Sequence, residues 1–413
     1  MGEPGRRRDF RTHLIATMAL GAVLRVVRLA VSKWDHPLGL NDSLYYSAQA
    51  HQLAHGVWFR EPFADQPGAE HGPLTSTLMA FVSWGSDPIN RQRMVTVACG
   101  IATVAIIGVV ARRVAGNRTG LIAAGIAAIY PNLWMNDGLV MSESVSCLTI
   151  ALAVWALLVW SDRPTLRAAV LVGIAVGLGT LARSEVVLLV PGAAASMWMI
   201  ARRAGLKSSR HVATAAAVSI AVLLPWVIFN FARFDRPVLL TTNDGPTFLG
   251  ANCEETYYGG AQGGWSFFCV VNDPFTQPGE DPSTRAARQR REAISYARHH
   301  LSRIPIVAVQ RVGRSLDLYA LGNLVHQDVG EDRERLASWA GIGSFWVLAP
   351  LAVFGASKTR RRDRAVLLIP VIIAVAATVA IYGGHRIRSS AEPAIVIFAA
   401  IAIDHMIGRR RLS

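Results

Sequence analysis

Charge is scarce in this chain. Only 17% of its 413 residues are Asp, Glu, Lys or Arg, against about a quarter in a soluble globular domain. Acids are the scarcer sign, 28 against 42 bases. From Met94 to Ala111, from Val186 to Ala201 and from Ala337 to Ser357 there is no charged residue at all, which excludes an ordinary soluble domain. Cysteine is scarce too, at four residues, and no C-x-x-C pair, H-E-x-x-H helix or G-x-S-x-G elbow occurs. Those absences remove sequence support for a thiol-redox, zinc-protease or serine-hydrolase reading.

What the chain has instead is long apolar runs. A membrane span needs roughly 20 mostly apolar residues, and ten stretches qualify: 12–31, 92–111, 119–136, 142–160, 167–182, 185–201, 211–231, 337–356, 365–382 and 391–407. Mean hydropathy is +0.33. The fold class expected is therefore an all-α polytopic membrane bundle of about ten transmembrane helices. Arg6–Arg8 precede a first span too long for a signal-peptide h-region, so no cleavable signal is expected.

Lys and Arg of short loops collect on the cytoplasmic side. The clusters Arg6–Arg8, Arg112/Arg113/Arg118, Arg163/Arg167, Arg202/Arg203/Lys207/Arg210, Lys358/Arg360–Arg362/Arg364 and Arg409–Arg411 all fall on one side of a ten-span bundle. That predicts a multi-pass plasma-membrane protein with both termini cytoplasmic and its working surface extracytoplasmic. The net charge of +14 is mostly this topology signal. Because the positives are split into short membrane-flanking patches, nucleic acid is not an expected partner. Three regions follow: an N-terminal transmembrane module 1–231 with a first outer loop 32–91, an extracytoplasmic loop subdomain 232–336, and C-terminal transmembrane helices 337–413.

Cys99 and Cys147 lie within spans and read as packing residues. Cys253 and Cys269 share the long outer loop, where an oxidising compartment permits a disulfide. Residues 41–55 predict a short membrane-surface helix with Asn41 as N-cap and Leu44, Ala48 and His51 on one face. Asp42 stands at its first turn, where an acid also suits the helix dipole. Glu70-His71-Gly72-Pro73-Leu74 reads as a turn. Residues 284–303 predict a basic amphipathic helix. Ile306–Leu321, interrupted by Arg311, Arg314 and Asp317, predicts a membrane-surface helix rather than an eleventh span.

Arginine on the outer face gains nothing from the positive-inside rule. Arg25 and Arg28 near the outer end of the first span, Arg183 beside Glu185 in a tight turn, and Arg386 and Arg388 after His385 are therefore candidates to hold an anionic group. Guanidinium binds phosphate bidentately. For Arg25 and Arg28, snorkelling to the headgroups stands beside that reading. Asp137 and Glu143 lie on the same side and fit either a sugar contact or the start of the fourth span.

Taken in order, these motifs form a pattern. The first span ends in an Arg pair, Asp42 precedes Tyr45 and Tyr46, and His71-Gly72-Pro73-Leu74 follows. Then come Met141-Ser142-Glu143, Gly177–Glu185 (GLGTLARSE), and Arg386-Ile387-Arg388 before Glu392-Pro393. The chain resembles the GT-C superfamily of integral-membrane glycosyltransferases, in particular the branch of protein O-mannosyltransferases and aminoarabinose transferases, and its Arg- and Ala-rich style resembles actinobacterial members. The resemblance implies transfer of a sugar from a polyprenyl-phosphate donor, with inversion, to a glycan, lipid or protein acceptor. It implies Asp42 as general base and Arg25, Arg28, Arg183, Arg386 and Arg388 around the donor phosphate. Tyr45, Tyr46, His71, Asp137, Glu143 and Glu185 are the expected substrate-lining residues. Gly72 stands where members often have proline. Asn41 stands where they often have a second acid, so no cofactor and no divalent metal are expected.

Two other classes compete. A lipid or glycan transporter or flippase would place ionisable groups near the bilayer midplane and show internal repeats, and the sequence shows neither. A non-catalytic scaffold for cell-envelope assembly would use the outer loops as docking sites.

Overall fold

The computed structural model describes residues 4–205 and 208–410; Lys207 and Arg411, members of two basic clusters, lie outside them. The described residues are almost wholly helical, and their only β pairing is an isolated bridge between Arg60 and Pro67. Among the described residues eight helices are long and apolar enough to cross a membrane, where ten spans were expected. The stretches 167–182 and 119–136 account for the difference. The first is the 17-residue helix Leu166–Ala182. The second is the 13-residue helix Asn117–Ile129 followed by a single turn, Pro131–Trp134. Pro131 drives the residue before it out of the helical region, and Tyr130 is extended at φ −72°, ψ 116°, so the helix stops there.

Between apolar helices in lipid the hydrophobic effect supplies little, and close backbone approach through small residues takes over. Gly173 and Gly177, four apart on Leu166–Ala182, let that helix lie against Ser209–Phe231. A Cβ on Gly173 would stand 2.6 Å from the Ala215 carbonyl oxygen, and one on Gly177 would stand 2.7 Å from Val222 Cβ. Ala123, Ala124, Ala127 and Ala128 line a core with the wholly buried Trp160.

Two surface elements position the site. Asn41 caps the helix Asp42–Ala54, its side chain accepting from the Ser43 amide at 2.9 Å. The helix is where the sequence placed it, but its buried face is not. Tyr45, close to the expected face, is buried, but so are Tyr46, Gln49 and Ala50, while Leu44 and Ala48 are half-buried and His51 is exposed, because the helix packs on the turn at His71. The stretch read as a surface helix at Ile306–Leu321 forms the 12-residue helix Ile304–Ser315, too short to be a span. Arg311, Arg314 and Asp317 are all buried, with Arg311 Nη1 donating to the Val379 carbonyl and Arg314 Nε to that of Gly383. The interrupting charges thus point into the protein, against the end of the span Arg361–Ala380.

Cys253 and Cys269 form the disulfide that the outer-loop placement predicted, closing 16 positions of chain that include Trp265. A loop of that size contributes about 3 kcal/mol in the chain-entropy account. Cys253→Ser with Cys269→Ser should lower the thermal midpoint of the purified protein by several degrees, as should reductant on the parent. Unchanged midpoints would mean that helix packing alone holds this loop.

Candidate functional site

The basic amphipathic helix read at 284–303 is Pro282–His299, capped by Asp281 and packed beneath the helix Asp244–Ala251. The helix Asp244–Ala251, not the basic helix behind it, joins the disulfide loop in walling one side of a cavity of about 1090 Å³. The opposite side is built from the first-loop helix, the His71 turn, Arg183–Glu185 and Tyr382–Ile387. Trp265, Phe267 and Phe268 line it together with Asp42, Glu70, Arg183, Glu185 and Arg386.

Asp42 and Arg386, 344 positions apart, form an ion pair through Oδ2 and Nη2. Arg386 Nε donates to Glu143 Oε1 at 2.7 Å, and its Nη1 lies 3.5 Å from Glu331 Oε1. Glu143, wholly buried, also accepts from Arg183 Nη1 at 2.9 Å, while Arg183 Nε reaches Glu185 at 2.5 Å. Arg333 Nη2 lies 3.8 Å from the same Glu143 oxygen, and Arg333 further pairs with Asp328 and Glu331. Burial raises the Asp42 carboxyl, but Arg386 and then His71 outweigh it and hold Asp42 well below the ordinary carboxylate range. Burial lowers the Arg183 guanidinium, and Glu185 and Glu143 more than restore it.

His71 is held by two tyrosines. Tyr46 stacks on the imidazole at 4.6 Å and 19°, and Tyr45 meets it edge-on at 5.2 Å. The Tyr45 hydroxyl accepts from the Glu70 amide at 3.2 Å, fixing the turn to the first-loop helix. Gly72 has a steric reason: a Cβ there would stand 2.4 Å from the Leu181 carbonyl oxygen. The turn is therefore pressed directly onto the Leu181–Glu185 segment, which joins two motifs that are more than a hundred residues apart.

The expected site residues divide. Asp42, Tyr45, Tyr46, His71, Arg183, Glu185 and Arg386 line the cavity, and Glu143 sits behind it, bridging its two arginines. Arg25, Arg28, Arg388 and Asp137 are not brought there. Arg25 Nε pairs with Asp137 Oδ2 at 2.6 Å, both buried. Arg28 pairs with Glu334 at 2.7 Å and donates to the carbonyls of Trp134, Met135 and Asp137. Arg388 is held by Asp317 at 2.6 Å and Glu392 at 2.8 Å, with Phe345 against its guanidinium at 3.8 Å. Low-dielectric burial rewards such pairs only when hydrogen bonds complete them; backbone carbonyls add to all three, although Arg388 Nη2 is left without a partner, and none of these arginines lines the cavity.

Sequence reasoning missed Glu331 and Arg333, and with them Asp328, which holds His385 Nδ1 at 2.7 Å. A signal was present. Glu331-Asp332-Arg333-Glu334-Arg335 are five successive charges at the start of a span, a place where a membrane protein rarely spends them without partners.

Residues 70–229 match the model of the dolichyl-phosphate-mannose-protein mannosyltransferase family. That stretch includes Glu70–His71, Glu143 and Arg183–Glu185 and stops short of Asp42 and Arg386. Among curated proteins no relative matches. Among solved structures, an archaeal oligosaccharyltransferase AglB from Archaeoglobus fulgidus, in complex with an inhibitory peptide and a dolichol-phosphate, is similar over 99% of this chain and 52% of its own, at TM-score 0.63 and 15% identity. The apo form of the Archaeoglobus fulgidus oligosaccharyltransferase is similar over 98% and 51%, at TM-score 0.62 and 17% identity. ArnT from Cupriavidus metallidurans in the apo state overlays more loosely, over 97% and 77%, at TM-score 0.43 and 13% identity. The chain thus spans about half the length of the oligosaccharyltransferases it resembles.

Proposed function

From the premise that the chain has the GT-C fold of membrane glycosyltransferases, we propose that it moves a sugar from a polyprenyl-phosphate donor to an acceptor hydroxyl, with inversion. The observation that carries this reading is the ion pair of Asp42 with Arg386, open to a cavity large enough for a sugar and part of its acceptor. The arginine asymmetry of the short loops supports an extracytoplasmic position for that cavity and cytoplasmic termini. The neighbour with bound dolichol-phosphate supports a lipid-linked donor.

The chemistry needs a base for the acceptor proton and positive charge at the leaving group. As it stands, Asp42 is a weak base because Arg386 neutralises it. A donor phosphate entering between Arg386 and Arg183 competes for the Arg386 guanidinium, and any loosening of that contact raises the basicity of Asp42. The site is therefore armed by its own donor. Asp42 takes the acceptor hydroxyl proton, and the hydroxyl oxygen attacks the anomeric carbon on the face opposite the phosphate. The carbon–oxygen bond to phosphate breaks, and its electron pair leaves on a phosphate held by guanidinium. Glu143 keeps both arginines aimed at one place.

The test is transfer from a panel of radiolabelled polyprenyl-phosphate sugars by purified protein in detergent. A charge-assisted hydrogen bond is worth about 1.5–3 kcal/mol, so Arg386→Ala and Arg183→Ala should each weaken donor binding by roughly 10- to 100-fold in protein that still elutes as a folded monodisperse species. Unchanged donor affinity in both variants would place the phosphate elsewhere.

A further inference from the structure

We infer that His385 is a positioning residue for Arg386: it locks the turn that carries this arginine, so that the guanidinium is held in place before a donor phosphate arrives. The His385 side chain is buried and has a carboxylate on each ring nitrogen, Asp328 Oδ2 at 2.7 Å on Nδ1 and Asp317 Oδ1 at 2.7 Å on Nε2. Asp328 Oδ1 also lies 3.3 Å from Arg333 Nη1, and Asp317 Oδ2 accepts from Arg388 Nη1 at 2.6 Å. Both acids are thus paired as carboxylates and can only accept. Both imidazole nitrogens therefore donate, which makes the ring the cation.

The two carboxylates belong to different elements. Asp317 follows the helix Ile304–Ser315, and Asp328 lies in the helix Leu321–Gly330. The backbone of the turn is tied to the first of these as well: Arg314 Nε donates to the Gly383 carbonyl, and the Gly384 amide donates to Ser315 Oγ at 3.1 Å. On the single turn His385–Arg388, His385 and Arg388 stand three apart and share a face. Both meet Asp317, while Arg386 between them goes to Asp42 and Glu143.

The Asp328 arm closes a ring. His385 holds Asp328, Asp328 holds Arg333, Arg333 pairs with Glu331, and Glu331 Oε1 stands 3.5 Å from Arg386 Nη1. Arg386 is the next residue to His385, so its backbone and its guanidinium are both fixed through one imidazole. An arginine side chain has rotamer freedom to lose when it grips a ligand, and the ring removes that freedom beforehand, which is how fixed charge comes to favour a transition state. The use of this restraint in catalysis rests on the transferase reading, whereas the restraint itself does not.

Phenylglyoxal labelling of the full chain in detergent, followed by peptide mass spectrometry, reads the restraint on Arg386 without any donor. His385→Gln, which cannot donate to both carboxylates, should speed labelling of Arg386 several-fold and leave the exposed Arg291 at its parental rate. In transfer, the same variant should lower kcat by about 10- to 100-fold, the cost of a misplacement of about 1 Å, with the acceptor KM unchanged. Asp328→Asn should act alike and serves as the second variant if His385→Gln does not fold. Combined, the two should cost no more than either alone, because they cut the same ring. Parental labelling of Arg386 in both variants, with only a lowered thermal midpoint, marks His385 as structural and overturns the proposal. Faster labelling with full-rate transfer also overturns it and leaves the transferase standing. Faster labelling in a protein whose parent transfers from no donor upholds the restraint and removes the transferase reading.

Discussion

Replacing Asp42 with Asn should abolish nearly all sugar transfer while leaving the protein folded and able to bind its donor. General-base catalysis is worth typically 10²–10⁴-fold, and the amide cannot take a proton at neutral pH. Stability should change little, for a reason visible in the helix start. The cap is Asn41, whose side chain accepts from the Ser43 amide at 2.9 Å, and Arg386 retains Glu143 and Glu331 when Asp42 loses its charge. Single-turnover transfer at saturating donor, alongside the thermal midpoint and donor affinity, separates the outcomes. A folded Asp42→Asn protein with parental rates would remove Asp42 from the reaction and direct attention to Glu143. Loss of both folding and rate would instead mark the Asp42–Arg386 pair as structural.

The largest stability effect should come from Arg25→Ala, a residue that the family resemblance placed at the donor phosphate. Its guanidinium is 1% exposed and holds Asp137 at 2.6 Å, with further bonds to the carbonyls of Ala128 and Gly21 at 2.9 and 3.1 Å. Asp137, 2% exposed, has Ser144 Oγ at 2.6 Å on its other oxygen. The backbone makes room for this carboxylate, since a Cβ on Gly100 would stand 2.0 Å from Oδ2. Removing one partner of a buried pair costs about 3–5 kcal/mol because the other is left charged and enclosed. Burial already pushes the Asp137 carboxyl above its ordinary value even with Arg25 present. Arg25→Ala should therefore sharply shorten the folded lifetime in detergent, and Asp137→Asn added to it should recover part of the loss. Donor affinity of the folded fraction should be unaffected. A stable Arg25→Ala protein with weakened donor binding would return Arg25 to the phosphate site.

How much of this was legible in the sequence follows from the range of each interaction. Apolar runs, helix caps and proline stops act within a few residues, so composition and local spacing placed most spans, the Asn41 cap and the disulfide loop. They failed at Tyr130-Pro131, where a local stop signal was overridden by a long apolar average. The first-loop acid and the late arginine were recognisable as candidates by their order along the chain. Their contact was not, because it joins positions 344 apart.

The sequence by itself determined that this is a helical membrane protein with its spare charge gathered outside the short basic loops, since transfer of side chains out of water depends on each residue and its near neighbours. Only the tertiary structure decided which charges are free to do chemistry. Arg25, Arg28 and Arg388 are claimed by Asp137, Glu334 and the Asp317–Glu392 pair, while Arg183 and Arg386 converge on Glu143 at the cavity. The work a buried charge can do is set by distance and by the dielectric around it, and both are properties of folded neighbours that no local stretch of chain contains.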